Sequence, residues 1–405
     1  MKNILFVTEQ EISPLQGGTE RITHTLSNSF RSEGCQCFLA YLFPESNITT
    51  TDFDGKIQLN TNGSLELRLK NFLEVNQIDI IISNLVRYES KKKILPTLYN
   101  VTRSHSAKLI VCYHAMPGED LLGTDIRNAF YRILHGKDVL QAFKDLILGF
   151  LPNSNKNIFF KKRLEKKYRL SHFYSDKLVL LSERFYKLYA EFANVQVDDK
   201  FYAIPNALSF DTPNFTANET ENKSKEVLIL ARMHERSKRL SSALKIWSVI
   251  ESKFDLSDWK LTVVGAGPDM DYYKNMAKKA TLTRVQFLGR QPEIECFYRR
   301  ATIFMMTSNY EGFGITLTEA QQFGVVPVAF DSFASLSDII ENNKNGLIIP
   351  NNDINAYING LSELMQNDSK RMEMATNALE SCKCFSQEKI TQKWLRLFDD
   401  LLIEK

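Results

Sequence analysis

Two glutamates and two glycines form the segment in which residue types and spacing most clearly suggest chemistry. The order is Glu311, Gly312, Phe313, Gly314, and then Glu319 after four more residues. The segment follows a predicted strand at 303–306, and a helix is expected to begin near Gly314. Glycines at a helix N-terminus let a phosphate approach the free N–H groups. The carboxylates suit hydroxyl groups of a sugar, and we expect Glu319 to face the same opening as Glu311.

This arrangement of two glutamates separated by seven residues, the first followed by Gly-Phe-Gly, resembles family 4 of the retaining glycosyltransferases, which have the GT-B fold. The resemblance implies that Glu311 contacts the donor sugar and that Glu319 contacts the ribose of the nucleotide. It further implies a donor-binding turn formed by Gly312, Phe313 and Gly314. The alternative interpretation is a surface loop that leads into an ordinary helix.

A basic cluster follows the predicted strand at 226–231 and includes Arg232, Lys238 and Arg239. It resembles the family's Arg and Lys that clamp the donor diphosphate. Fixed cations neutralise the charge that grows as the sugar–phosphate bond breaks, so the resemblance requires no metal ion. The spacing from Arg232 is one residue longer than is common, so Lys238 or Arg239 fits the second position, and we favour Lys238. The alternative is a solvated helix start.

The first half of the chain carries weaker signals. Gly17 and Gly18 resemble the family's glycine turn, in which backbone N–H groups approach the phosphate. His114 ends a predicted strand and matches a position where relatives carry a histidine facing the donor sugar. A lone Gly-Gly pair is more often a plain turn and a lone histidine is more often structural, so both assignments depend on the motifs of the second half.

The elements that must position these residues alternate between short β-rich runs and helical patterns, which predicts parallel α/β domains. Strands are predicted at 3–8, 36–42, 78–83, 108–113, 177–181, 201–204, 226–231, 260–264, 285–288, 303–306, 326–330 and 347–349. The fold expected is two Rossmann-like, doubly wound domains facing across a cleft. Residues 1–207 form the acceptor-binding domain and 208–385 the nucleotide-sugar domain, and a helix at 386–405 returns to the first domain.

Several function classes are disfavoured by composition. A net charge of +3 over 405 residues is too small to indicate a nucleic-acid partner. The apolar run at the start is too short for a signal peptide, and no stretch is long enough to span a bilayer, so a cytoplasmic location is expected. The turn at Gly265 and Gly267 lacks the third glycine of a dinucleotide fingerprint and does not open the first domain, which argues against a dehydrogenase.

Residues 139–169 combine an apolar helical pattern with a basic segment. The apolar residues repeat at helical spacing from Val139 to Leu151, and seven basic residues against one acidic residue follow between Lys156 and Arg169. Such a region can lie on the anionic inner face of a membrane. The alternative is a helix whose apolar side faces the core, followed by a solvated basic face.

The resemblance therefore implies retaining transfer of a hexose or related sugar from a nucleoside diphosphate to a hydroxyl of a glycan or lipid-linked acceptor, in bacterial surface polysaccharide synthesis. We favour a UDP-sugar over a GDP-sugar as donor, with Glu311, Arg232, Lys238 and His114 as the catalytic set. The alternatives are a catalytically silent GT-B subunit that binds a sugar nucleotide or a partner enzyme, an epimerase or phosphorylase on the same scaffold, and a membrane-surface scaffold.

Overall fold

The computed structural model describes residues 1–12, 18–44, 53–60, 64–122, 126–136, 139–150, 153–210, 215, 217–253 and 255–403. The chain divides into two compact units. The first unit comprises Met1–Pro117, Lys161–Ser209 and Phe385–Lys405, and the second comprises Gly118–Phe160 and Phe210–Cys384. Thus the segment 118–160, which the sequence assigns to the first domain, belongs to the second unit.

The elements up to residue 203 build a parallel sheet with helices between its strands. The strands are β1 (Asn3–Gln10), β2 (Gln36–Phe43), β3 (Gly55–Gln58), β4 (Ile80–Ser83), β5 (Lys108–Tyr113), β6 (Lys177–Leu180) and β7 (Phe201–Ala203). The helices are α1 (Gly18–Ser32), α2 (Leu65–Val75), α3 (Tyr88–His105), α4 (Ile126–Leu134), α5 (Val139–Phe150), α6 (Asn153–Phe173) and α7 (Tyr186–Ala193). The strand order is β3-β2-β1-β4-β5-β6-β7.

The remaining elements build a second parallel sheet. Its strands are β8 (Glu226–Leu230), β9 (Lys260–Val264), β10 (Val285–Gly289), β11 (Ile303–Met306), β12 (Val326–Phe330) and β13 (Leu347–Ile349), in the order β10-β9-β8-β11-β12-β13. The helices are α8 (Ala217–Glu221), α9 (Glu235–Lys238), α10 (Leu240–Lys253), α11 (Met270–Lys279), α12 (Glu295–Arg300), α13 (Ile315–Gln322), α14 (Leu336–Ile339), α15 (Ile354–Gln366), α16 (Asp368–Ser381) and α17 (Gln387–Ile403).

The two sheets confirm the prediction of two Rossmann-like α/β domains. Parallel strands that are covered on both faces read as unbroken apolar runs, and Ile4 to Val7 at the centre of the first sheet are fully buried. The predicted return of the final helix is also present. Phe398 of α17 lies 5.3 Å, ring centroid to ring centroid, from Phe30 of α1 within the first unit.

Each sheet has one point at which the chain changes the direction in which it adds strands. In the first sheet this point lies between β1 and β4, and in the second it lies between β8 and β11. Loops that leave neighbouring strands on either side of such a point diverge and open a crevice at the carboxyl ends of the strands, where ligands of open α/β sheets bind. The basic cluster follows β8, and the segment with the two glutamates follows β11 and runs into α13.

Candidate functional site

The loops that follow β8 and β11 are joined by backbone and side-chain hydrogen bonds. The backbone N–H of Asn309 donates to the carbonyl of Ser237 at 2.7 Å, and the Thr307 hydroxyl donates to the carbonyl of Lys238 at 3.1 Å. These contacts fix the basic cluster against the start of the glutamate segment, as expected at the switch point.

Lys238 and Glu311 form an ion pair at the centre of this junction. The Lys238 Nζ lies 2.5 Å from Glu311 Oε1, and the Ser308 hydroxyl donates to the same oxygen at 2.6 Å. The two side chains are 22% and 13% exposed, and both line a small cavity together with Ala231 and Thr316. An ammonium has three donors, so Lys238 can hold Glu311 and still donate to a ligand oxygen.

The guanidinium of Arg232 is available to bind an anion. Its side chain is exposed, and within the described part of the chain no hydrogen bond or salt bridge engages it. It follows β8, and Lys238 ends the short helix α9 just after it, so the structure brings two of the predicted clamp residues to one edge of the second sheet.

Arg239, the alternative for the second clamp, is held by the protein itself. Its guanidinium donates to the carbonyls of Thr307 at 3.0 Å and Ser308 at 2.8 Å, and to the side chains of Asn351 and Asn352. Burial lowers the pKa of Arg239 to about 10. With these acceptors in place, the side chain ties the β8 loop to the β11 loop, and the geometry favours Lys238 as the second clamp.

The turn at 312–314 leads into α13 as predicted. Gly314 has φ 91° and immediately precedes α13, which begins at Ile315. The φ of Gly314 favours glycine, and a Cβ there would also be crowded by Leu317 at 3.1 Å and Phe333 at 3.3 Å. Phe313 is 2% exposed, so its side chain belongs to the core and any contact with a donor must come from its backbone.

Glu319 is not exposed at the opening that Glu311 lines. It is fully buried and accepts a 2.7 Å hydrogen bond from the Tyr298 hydroxyl. The α-helix carries Glu319 more than one turn beyond Gly314, and each residue adds about 1.5 Å of depth along the helix axis. Helical spacing suggested that Glu319 reaches the opening, but spacing alone could not indicate that the side chain is buried.

The glycines at 265 and 267 position the loop that bears Arg232. A Cβ on Gly265 would lie 1.9 Å from the carbonyl oxygen of Ala231, and one on Gly267 would lie 2.4 Å from the carbonyl oxygen of Met233. The Met233 N–H donates to the Ala266 carbonyl at 3.0 Å in the same contact. The backbone of this turn is therefore a platform against which the basic loop packs. This packing explains the two glycines, and a dinucleotide-binding role is not needed to explain them.

We expect Gly267→Ala to lower the free energy of unfolding by about 3 kcal/mol, because backbone atoms of Met233 occupy the space of the new methyl group. Gly289→Ala is the matched control. Gly289 has φ 70°, but a methyl group added there would meet nothing within 4 Å, so only backbone strain of about 1 kcal/mol is expected. Denaturant unfolding of both variants measures the difference, and equal losses would contradict the platform role.

Of the sites predicted in the first half, Gly18 is the first residue of α1, and Gly17 lies outside the described residues. His114 follows β5, and its Nε2 is 3.0 Å from the Asn84 side-chain oxygen. Asn84 in turn donates to the Thr23 hydroxyl at 2.8 Å. If Nε2 carries the proton, Nδ1 is an acceptor, and it has no hydrogen-bond partner among the described residues.

Lys91 of α3, in the same unit, carries a buried amine that the sequence did not indicate. It is 2% exposed, donates to the Ser171 hydroxyl at 3.2 Å and lies 5.1 Å from the centroid of the Tyr113 ring. Burial and then the nearby charge of Lys167 lower the pKa of Lys91 to about 7. Burial and then the charge of Lys91 lower the pKa of His114 to about 4, which keeps the imidazole neutral at physiological pH.

We expect Lys91→Met to reduce the pH dependence of stability between pH 7 and 10.5. The folded pKa of about 7 lies below the ordinary 10.5, so the unfolded chain binds more protons in this window and wild-type stability rises with pH. One proton accounts for a slope of at most about 1.4 kcal/mol per pH unit. Urea unfolding at several pH values measures the slope, with the exposed neighbour Lys92→Met as control. An unchanged slope in Lys91→Met would contradict the shifted amine.

Arg236 is a further residue whose role the sequence did not predict. Its guanidinium donates to the carbonyls of Leu122 at 2.9 Å and Asp120 at 3.0 Å, and so ties the segment after Gly118 to the basic loop. Burial and then the Glu119 carboxylate raise the pKa of the adjacent Tyr310 to about 12. Since the partners of Arg236 are backbone carbonyls more than 100 residues away, no side-chain pattern could have indicated them.

The segment that holds this site is similar to a known protein family. Residues 211–381 match the model of the family described as Glycosyl transferases group 1. This segment is therefore similar to the glycosyltransferases of that family. It contains Arg232, Lys238, Glu311 and Glu319, so every predicted residue of the second unit's site lies within the matched region.

Relatives of known sequence align over part of the chain. A Haemophilus influenzae protein named "Uncharacterized glycosyltransferase" is 29% identical over 222 residues, which are 54% of this chain and 60% of that protein. A Staphylococcus aureus poly(ribitol-phosphate) alpha-N-acetylglucosaminyltransferase is 31% identical over 165 residues, which are 40% of this chain and 33% of that enzyme. The chain thus spans less than two thirds of the length of these relatives.

Solved structures with the same fold align over nearly the whole chain. Anabaena HepE in complex with UDP has a TM-score of 0.70 at 14% identity, covering 99% of this chain and all of that one. Staphylococcus aureus TarM in complex with Fondaparinux, alpha-GlcNAc-glycerol and UDP has a TM-score of 0.68 at 16% identity, covering 98% and 100%. At these identities the likeness establishes the fold, and both sheets of the chain take part in it.

Proposed function

We propose that the protein is a retaining glycosyltransferase that moves a sugar from a nucleoside diphosphate to a hydroxyl of a glycan or lipid-linked acceptor. The observation that carries the proposal is the junction of the β8 and β11 loops, where the paired Lys238 and Glu311 lie on the loops that carry the exposed Arg232 and the turn before α13. Two cations and helix N–H groups suit a diphosphate, and a carboxylate suits sugar hydroxyls.

In this proposal Arg232, Lys238 and the backbone N–H groups at 312–314 neutralise the charge that develops on the leaving diphosphate. Glu311 accepts a hydrogen bond from a hydroxyl of the donor sugar and keeps the ammonium of Lys238 in place. The acceptor hydroxyl attacks on the face from which the diphosphate departs, and the leaving phosphate takes its proton. His114, which burial keeps neutral, faces the donor sugar in this proposal.

We further propose a UDP-sugar as donor, no metal or other cofactor, and a role in bacterial surface polysaccharide synthesis at the cytoplasmic face of the membrane. The complexes of HepE and TarM with UDP support the choice of nucleotide. The names of the relatives, among them the enzyme that acts on poly(ribitol-phosphate), support a polymeric or lipid-linked acceptor.

The experiment is a screen of UDP-, GDP- and ADP-sugars by thermal shift, followed by turnover of the best donor with and without EDTA. A bound donor raises the midpoint of unfolding by mass action. Release of the nucleoside diphosphate, and an NMR spectrum showing the same anomeric configuration in donor and product, are the expected results. A donor that stabilises the protein but is never consumed, even when acceptors are supplied, would instead indicate a catalytically silent binding subunit.

A further inference from the structure

The α4–α5 pair in the second unit exposes a group of large apolar side chains. Six of the exposed large apolar side chains among the described residues lie between 130 and 147, namely Phe130, Leu134, Val139, Leu140, Phe143 and Ile147. Leu134 is 79% and Leu140 is 87% exposed. We call these six residues the α4–α5 apolar face. Contiguous exposed apolar surface on a soluble domain marks an interaction site.

The described side chains of α4 and α5 differ from the pattern of an ordinary packed surface helix. An ordinary surface helix turns its apolar side towards the core. In α5, Ala142 is fully buried while Leu140, Phe143 and Ile147 face solvent, and in α4 Ala129 is buried while Phe130 and Leu134 are exposed. Among the described side chains, several larger apolar residues of α4 and α5 therefore face outward while the small alanines are buried.

A groove beside this face combines apolar walls with cations. It has a volume of about 550 Å³ and lies between α4, α10 and α11. Phe130, Leu134 and Met276 supply apolar wall, Tyr131 and Tyr272 pack with ring centroids 5.2 Å apart, and Lys245 and Lys279 line the groove. Lys144 is exposed on α5. The surface thus offers apolar contact and positive charge together.

We propose that the α4–α5 apolar face docks on a bilayer containing anionic lipids, with Lys144 and Lys279 contacting lipid phosphates. Apolar side chains on amphipathic helices enter the boundary between headgroups and acyl chains, and basic residues add attraction to anionic lipid. The basic segment of α6, with exposed Lys162, Arg163 and Lys166, follows α5 in the chain and has the same sign of charge. A second copy of the chain is a poorer fit, because a self-complementary interface would bring these like charges together.

This inference rests on the proposed function for the membrane association itself. It adds the surface that binds and the class of lipid that is bound. Its failure is distinguishable from failure of the donor site, since none of the six residues belongs to the β8–β11 junction. Transfer to a water-soluble acceptor is expected to continue at the wild-type rate when the α4–α5 apolar face is altered.

The test is flotation of the whole chain with vesicles of phosphatidylcholine, with or without about 30% phosphatidylglycerol. Wild type is expected to float with the anionic vesicles, and raising NaCl from about 0.1 M to about 1 M is expected to weaken this binding. The double variant Leu134→Asp/Leu140→Asp is expected to partition at least tenfold less. Leu67→Asp/Val75→Asp, at two exposed apolar positions of α2, is the matched control and is expected to bind normally.

A charge variant, Lys144→Glu/Lys279→Glu, is expected to lose binding to anionic vesicles, whereas the exposed Lys393→Glu keeps it. Thermal unfolding of each variant checks the fold, which substitutions at exposed positions should preserve. Equal flotation of wild type and the Leu134→Asp/Leu140→Asp variant would overturn the proposal. So would a wild-type dimer that this variant converts to a monomer without loss of vesicle binding, since the face would then join two copies.

Discussion

Arg232→Ala is expected to lower kcat/KM by two to three orders of magnitude while the protein remains folded. The guanidinium is exposed, and within the described residues it makes no contact that the fold would miss. Its loss removes one preorganised charge from the place where negative charge grows on the leaving diphosphate. Removal of one such group costs about 3 to 4 kcal/mol of transition-state stabilisation.

The measurement is steady-state turnover of the donor found in the screen, together with a thermal unfolding curve. Lys274→Ala removes one exposed cation from α11 of the same unit and serves as control. If Arg232→Ala and Lys274→Ala have the same kcat/KM, then Arg232 does not contact the diphosphate and the assignment of the clamp is wrong.

The strands that consist of unbroken apolar runs are the part of the fold whose bounds could be predicted closely. The bounds of β5, β9, β11, β12 and β13 agree with the prediction to the residue, since parallel strands buried on both faces require such runs. By contrast, β3 consists of Gly-Lys-Ile-Gln at the edge of its sheet and gives no apolar signal. The helix α3 begins with a polar segment and contains Pro96, and a proline inside a helix weakens the helical signal of the sequence.

The candidate site could be predicted as a set of residues but not as a set of contacts. Motif spacing identified Lys238 and Glu311 separately, and their ion pair depends on two loops that are 73 residues apart in the chain. The contacts of Arg239 could not be predicted for the same reason. Its acceptors come from Thr307, Ser308, Asn351 and Asn352. Which of two adjacent cations reaches a ligand is decided by partners that are distant in sequence.

Glu319→Ala is expected to unfold more readily than wild type, by about 3 kcal/mol, in addition to losing activity. The side chain is fully buried, so its truncation leaves a cavity and removes the acceptor of the Tyr298 hydroxyl. This changes the meaning of an inactive Glu319→Ala enzyme, because loss of activity alone would not show that Glu319 contacts the ribose.

Tyr298→Phe and Glu319→Gln separate the two roles. Tyr298→Phe removes the partner of the carboxylate and is expected to lower stability by about 1 to 2 kcal/mol. Glu319→Gln keeps the shape and an acceptor oxygen but loses the charge that strengthens hydrogen bonds to hydroxyls. If Glu319 turns to the ribose when the donor binds, Glu319→Gln raises the KM for the donor more than Tyr298→Phe does. If its role is only to hold α13 against Tyr298, the two variants change stability while the KM for the donor stays at the wild-type value.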